Sequence, residues 1–168
     1  MMARRHLNTV LLLALALVIG VAWWSVAGLE RTLRDGRPVL VKLAPVDPRS
    51  LMQGDYMALR FAIDTRLPRR RDSERLPSYV YVNLDEESRA SFASVGDTLP
   101  APAGQIALKI RLRDWRPSVG PNAFFFQEGQ GAVYERARWG ELRVDDSGRA
   151  LLTALRDEDL QVLGEQRR

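Results

Sequence analysis

A chain of 168 residues has room for one domain and a further segment. Its 25 basic and 21 acidic residues leave a net charge of only +4, too dilute for the concentrated basic face that nucleic acid requires. The absence of cysteine excludes disulfides, thiolate metal sites and cysteine nucleophiles, and the sole histidine, His6, precedes a long apolar run and cannot join a site beyond it.

Residues 7–29 carry no charge, with Asn8, Thr9 and Ser25 as the only polar side chains. Roughly 20 apolar residues in a helix cross the hydrocarbon layer of a bilayer, so this run is expected to be a transmembrane anchor. Trp23 and Trp24 stand near its far end, where indoles favour the interface. Ser25-Val26-Ala27 also resembles a small-x-small cleavage site, and a signal peptide cut after Ala27 is the alternative. The length of the run and the two tryptophans favour retention. Arg4 and Arg5 precede it and Arg31, Arg34 and Arg37 follow it, nearly a tie. The short basic tail tips the orientation toward an N-terminus in the cytoplasm. The expected division is a tail and anchor over 1–29, a stalk or helix continuation over 30–37 ended by Gly36 and Pro38, and a periplasmic β-rich domain over 38–168.

Within that domain, residues 39–43 read as a first strand, followed by turn chemistry at Asp47-Pro48-Arg49-Ser50. Residues 56–63 alternate, with Met57, Leu59, Phe61 and Ile63 on one face of a predicted strand. A basic loop, including Arg69-Arg70-Arg71, fills 68–77 and reads as solvated, with contact to anionic headgroups as the lesser alternative. Residues 79–84 form the next predicted strand, with Val80, Val82 and Leu84 opposed to Tyr79 and Tyr81, and a loop spans 96–104. Residues 105–115 alternate most clearly: Ile106, Leu108, Ile110 and Leu112 inward, Lys109, Arg111 and Arg113 outward. A short aromatic strand is expected at 123–127, and a short helix at 131–139 carrying Val133, Ala137 and Trp139. The last unit is a hairpin, 141–145 and 149–155, about the turn Asp146-Ser147-Gly148. With no internal repeat, the pattern predicts a mainly β domain, an antiparallel barrel or sandwich with one short helix.

The stretch Gly54-Asp55-Tyr56-Met57-Ala58-Leu59-Arg60-Phe61 resembles the signature of the GDYxxLxY family of membrane-anchored bacterial proteins, with Phe61 in place of the final tyrosine. The preceding Asp47-Pro48-Arg49-Ser50-Leu51 is similar as well. So is Phe125-Phe126-Gln127-Glu128-Gly129-Gln130-Gly131, where Gln127 replaces a proline. The resemblance covers most of the chain from Pro38 onward and implies a tethered domain, but no activity comes with it. Read physically, Gly54 permits an unusual backbone geometry and Asp55 can accept bonds from nearby amides. Tyr56, Leu59 and Phe61 belong to a half-buried strand. Three aromatics in a row, Phe124-Phe125-Phe126, must place at least one ring outward, against the domain or against a partner. Glu128-Gly129 reads as a turn.

One enzymatic alternative is a Ser/Lys hydrolase resembling type I signal peptidases in outline, with Ser50 as nucleophile and Lys109 or Lys42 as base. The spacing from Ser50 to Gly54-Asp55 is shorter than in that family, and its lysine-bearing block is missing. Asp145-Asp146 and Asp157-Glu158-Asp159 lack the ligand spacing of a calcium loop, and no glycine-rich phosphate cradle precedes a helix. The leading expectation is therefore a non-enzymatic accessory protein at the bacterial inner membrane, needing no cofactor or metal. Its expected contacts are the membrane and an integral membrane protein. Gly54, Asp55, Tyr56, Leu59, Phe61, Phe125, Phe126, Glu128 and Gly129 are the candidate binding residues.

Overall fold

Leucine, alanine and valine dominate the first thirty residues and no proline occurs before Pro38, conditions that favour an uninterrupted helix. In the computed structural model, which describes residues 2–44, 52–53, 56–68, 75–113, 115–127 and 129–165, that helix is α1 (Met2–Asp35). It passes through the apolar run and on through Glu30 to Asp35 without a break. From Leu11 onward it is long and apolar enough to cross a membrane, and its apolar side chains up to Val26 are exposed. Gly36 ends it. The Gly36 N–H donates to the Thr32 carbonyl at 3.0 Å, and a Cβ at this position would collide with that same carbonyl.

The rest of the chain is mainly β. One sheet has the order β1-β10-β11-β12, from β1 (Arg37–Lys42), β10 (Trp139–Val144), β11 (Ala150–Arg156) and β12 (Val162–Glu165). A second has the order β2-β3-β9, from β2 (Met52–Gln53), β3 (Tyr56–Ala58) and β9 (Ala123–Phe125). A third has the order β5-β4-β6, from β4 (Tyr79–Leu84), β5 (Ala90–Gly96) and β6 (Gln105–Lys109). The small ribbon β7 (Arg111–Arg113) and β8 (Arg116–Ser118) completes the set. Every ladder between these strands is antiparallel. Among the described residues the sheets do not close into a barrel. They pack sandwich-like over one core, with the first and third sheets joined by the Leu40–Arg89 bridge. Val39, Val41, Val80, Val82, Leu108 and Leu142 are among the side chains that fill this core, and each is essentially inaccessible. The single helical turn α2 (Gly131–Tyr134) drops Tyr134 into it.

The hairpin is as expected: β10 pairs with β11 about a turn in which Gly148 takes φ +76°. Several boundaries differ. The predicted strand over 56–63 is a ladder only to Ala58; Ala62–Arg66 is a 3₁₀ turn. Met57, Leu59 and Phe61 are nonetheless buried, because the extended backbone keeps its period-2 alternation up to that turn, and the turn itself buries Ile63. The strand over 105–115 breaks at Ile110, where the β6–β4 ladder ends on a last rung from the Ile110 N–H to the Ser78 carbonyl at 2.9 Å. Beyond the break the faces exchange: Leu112 is exposed and Arg113 half-buried. Tyr81 is buried, not outward, its hydroxyl donating to the Thr98 carbonyl at 2.7 Å. The helix over 131–139 shrinks to α2, with Val133 exposed and Trp139 taken into β10. Strands β5 and β12 were not anticipated.

Candidate functional site

The two stretches that carry the family signature lie far apart in the chain and meet in the fold. Strand β3 pairs with β9 in the register Tyr56–Phe125, Met57–Phe124 and Ala58–Ala123, and the Leu59 N–H then donates to the Asn122 carbonyl at 2.8 Å. Side chains alternate across this ladder. Met57 and Phe124 point into the core. Tyr56 and Phe125 share the other face with ring centroids 5.9 Å apart and planes at 44°. Phe125 is 62% exposed, which is unusual for phenylalanine in a ladder.

The remaining candidates divide between core and turn. Leu59 and Phe61 are buried, and Phe126 is half-buried. Phe124 and Phe126 both pack on Tyr134, with centroid distances of 5.2 and 4.9 Å, and Gly164 of β12 lies against the same tyrosine ring. Gly129 adopts φ +81°, a conformation that suits glycine. Gly54, Asp55 and Glu128 lie outside the described residues.

Phe61 occupies a slot with no spare volume. Gly120 lies against its ring so closely that a Cβ would collide with it, and Gly140 approaches from another side. The backbone of Phe61 also bridges to Leu43. The slot is pinned by Asp64, whose carboxylate accepts the Ser118 hydroxyl at 2.8 Å and the Val119 N–H at 3.1 Å. Burial pushes the Asp64 carboxyl above its ordinary value, and these hydrogen bonds only partly offset that. Sequence reasoning passed over Asp64; a charge directly after the buried Ile63 marks where the strand gives way to a turn.

A second cluster sits where the helix meets the sheet. The Thr32 hydroxyl lies 2.7 Å from the Asp145 carboxylate and 3.1 Å from the Gly28 carbonyl. Asp145 also accepts from the Ser147 N–H, the Ser147 hydroxyl and the Arg149 N–H, at 3.0, 2.6 and 3.0 Å. Desolvation acts to raise its pKa, but the bonds from Ser147, Thr32 and Arg149 prevail and hold it below the ordinary carboxylate range. Asp145 is thus a turn residue, as its sequence context suggested, and it also fastens α1.

For the Ser/Lys alternative, Ser50 lies outside the described residues. Lys42 is exposed, its ammonium 5.5 Å from the centre of the Trp139 ring, and Lys109 is exposed at the end of β6. Neither is enclosed in a cleft. Among the described residues no group of three or more His, Cys, Asp or Glu could hold a metal ion.

These features define a mainly β protein with one long N-terminal apolar helix among the described residues, whose signature motifs meet in one ladder. The chain belongs to the GDYXXLXY protein family, whose model matches residues 18–155. No curated protein and no solved structure matches it.

Proposed function

We propose that this protein is a non-enzymatic interaction module tethered to the bacterial inner membrane, with its β domain in the periplasm and an integral membrane protein as its partner. The observation that carries this reading is the face made by Tyr56 and Phe125. Both motifs contribute one ring to it, and the Phe125 ring is left in solvent although its neighbour Phe124 is wholly buried. Exposed aromatic area at a rigid ladder is what protein interfaces use as anchors. Helix α1 supports the location, because it supplies a span of sufficient length and continues directly into the domain. A tethered domain meets other membrane proteins in two dimensions, which raises their effective concentration.

Affinity purification of the full-length chain from solubilised membranes tests this. The wild type should recover an integral membrane protein, and Phe125→Ser should lose it while remaining folded. Recovery of no membrane protein above background would count against the reading. A Ser/Lys hydrolase is not favoured, since both lysines lie in water and a lysine base must be dehydrated beside its serine.

A further inference from the structure

We infer that the groove beside the C-terminal end of α1 binds the headgroups of anionic phospholipids in the membrane that the helix spans. This rests on the tether proposed above and adds a second contact with the bilayer.

The level of the groove follows from three contacts along α1. Gly28 lies beside the Arg149 guanidinium, Thr32 bonds to Asp145, and Gly36 lies beside the backbone of Arg143 and Val144. The tip of the β10–β11 hairpin therefore points down the helix toward the membrane, and β10 leads away from it. The end of β6 joins the same tip, because the Lys109 N–H donates to the Gly148 carbonyl at 2.8 Å. Strand β7 follows directly, so Arg111 and Arg113 begin near that level.

From Leu29, the last residue of the apolar run, to Asp35 the helix rises only about 9 Å at 1.5 Å per residue. A headgroup layer is roughly 5–8 Å thick, the difference between the full bilayer and its hydrocarbon core shared over two faces. The groove, about 660 Å³, starts at Leu29 and Leu33 of α1, passes Arg111, Arg113 and Arg143, and continues along β11 to Phe125 and Arg156. Its end at α1, the part assigned to lipid, thus opens where phosphates would lie.

Its charge is suited to them. Arg156, also at the groove, is engaged by Glu141 at 2.6 Å. Among the described residues, Arg111, Arg113 and Arg143 then face one further lining carboxylate, Glu165, and Arg143 also donates to the Gly36 carbonyl at 3.2 Å. The Nε of Arg113 is buried, and the described residues give it no hydrogen-bond partner. The accessible guanidinium nitrogens of these arginines suit a phosphate diester, whose paired oxygens they can meet two at a time. Leu29 and Leu33 supply the apolar wall against which the glycerol and upper acyl carbons would pack.

The test uses the full-length chain in micelles, offered equal amounts of phosphatidylglycerol and phosphatidylcholine, with retained lipid read by native mass spectrometry. The wild type should keep phosphatidylglycerol preferentially, and Arg111→Gln/Arg113→Gln should weaken that preference about tenfold, given the worth of each surface arginine at an anionic membrane. Arg111→Gln alone, at an exposed position, guards against misfolding of the pair and should show a smaller loss in the same direction. Arg136→Gln, outside the groove, should match the wild type. Equal retention of the two lipids, or a folded double variant that keeps the wild-type preference, would overturn the proposal and leave the groove to an acidic protein segment. Carbonate extraction of the source membranes distinguishes the two levels. Release of the chain would contradict the tether itself, whereas a retained chain without lipid preference contradicts only the headgroup site.

Discussion

The hydroxyl of Thr32 and the carboxylate of Asp145 stand 2.7 Å apart, and this bond joins α1 to the β10–β11 hairpin. Thr32 is only 2% exposed, the one buried polar residue among those described, on a helix whose side chains from Leu11 to Val26 are exposed. With Gly36 turning the chain straight into β1, no flexible linker intervenes.

Thr32→Val keeps the shape and removes the bond. It should cost about 1 kcal/mol, the usual net worth of one such hydrogen bond, in thermal melts of the full chain. Because the chain has no native cysteine, paired spin labels at Arg31→Cys and Glu158→Cys can follow the joint. Their distance distribution should be narrow in the wild type and broader in Thr32→Val.

Acid should loosen the same joint. The folded pKa of Asp145 lies below its unfolded value, so its contribution is complete above about pH 4 and is lost as pH falls through the folded pKa. Asp145→Ala should cost roughly 2 kcal/mol at pH 7, since several charge-assisted bonds disappear together. Denaturant titrations across pH should show that difference shrinking below pH 4.

Asp64 has the opposite sign. Its folded pKa is raised by burial, so ionised Asp64 counts against stability at neutral pH, and the penalty fades as pH falls through the raised value. Asp64→Asn retains an oxygen for Ser118 or Val119. It should melt at or above the wild-type temperature at pH 7, with the two curves converging near about pH 3. A lower melting temperature at pH 7 would show that the charge itself holds the turn.

The slot around Phe61 admits no added carbon. Gly120→Ala must displace the ring or the backbone and should destabilise the fold by about 1–3 kcal/mol, the usual cost of overpacking. Equilibrium unfolding measures it directly.

Adjacent aromatics should separate cleanly. Phe124→Ala empties a fully buried site and should cost roughly 3–5 kcal/mol. Phe125→Ser should change stability by less than about 1 kcal/mol, the scale of a single aromatic pair at the surface. Only the second should abolish partner recovery without unfolding the chain.

Much of the architecture was legible because period-2 alternation survives where both ends of a strand are in the sheet. The β10–β11 hairpin is the clearest case, since Asp145 and Gly148 supply its turn chemistry within the chain itself. The alternation of residues 57–63 was legible as burial but not as a ladder, because the pairing stops where β9 stops. The inward reading of Leu112 failed because the chain changes partner after Ile110, from the ladder with β4 to the ribbon with β8. Strand β5 was hidden by its Ala and Ser content, which suits an exposed edge and gives little pattern. Strand β12 follows Leu160 at φ +61°, a turn that no glycine announces. Of the candidate site, the outward ring of the Phe124-Phe125-Phe126 run was foreseeable in kind. Its pairing with Tyr56 was not, since it depends on a ladder between segments nearly seventy residues apart.

The most direct test is photocrosslinking in living cells, with benzoylphenylalanine placed at residue 125 of the full-length chain and, as a control, at the exposed Glu86. An adduct with an integral membrane protein from position 125, absent from position 86, is the predicted result. No adduct, or the same adducts from both positions, would contradict an interaction surface at the Tyr56–Phe125 face.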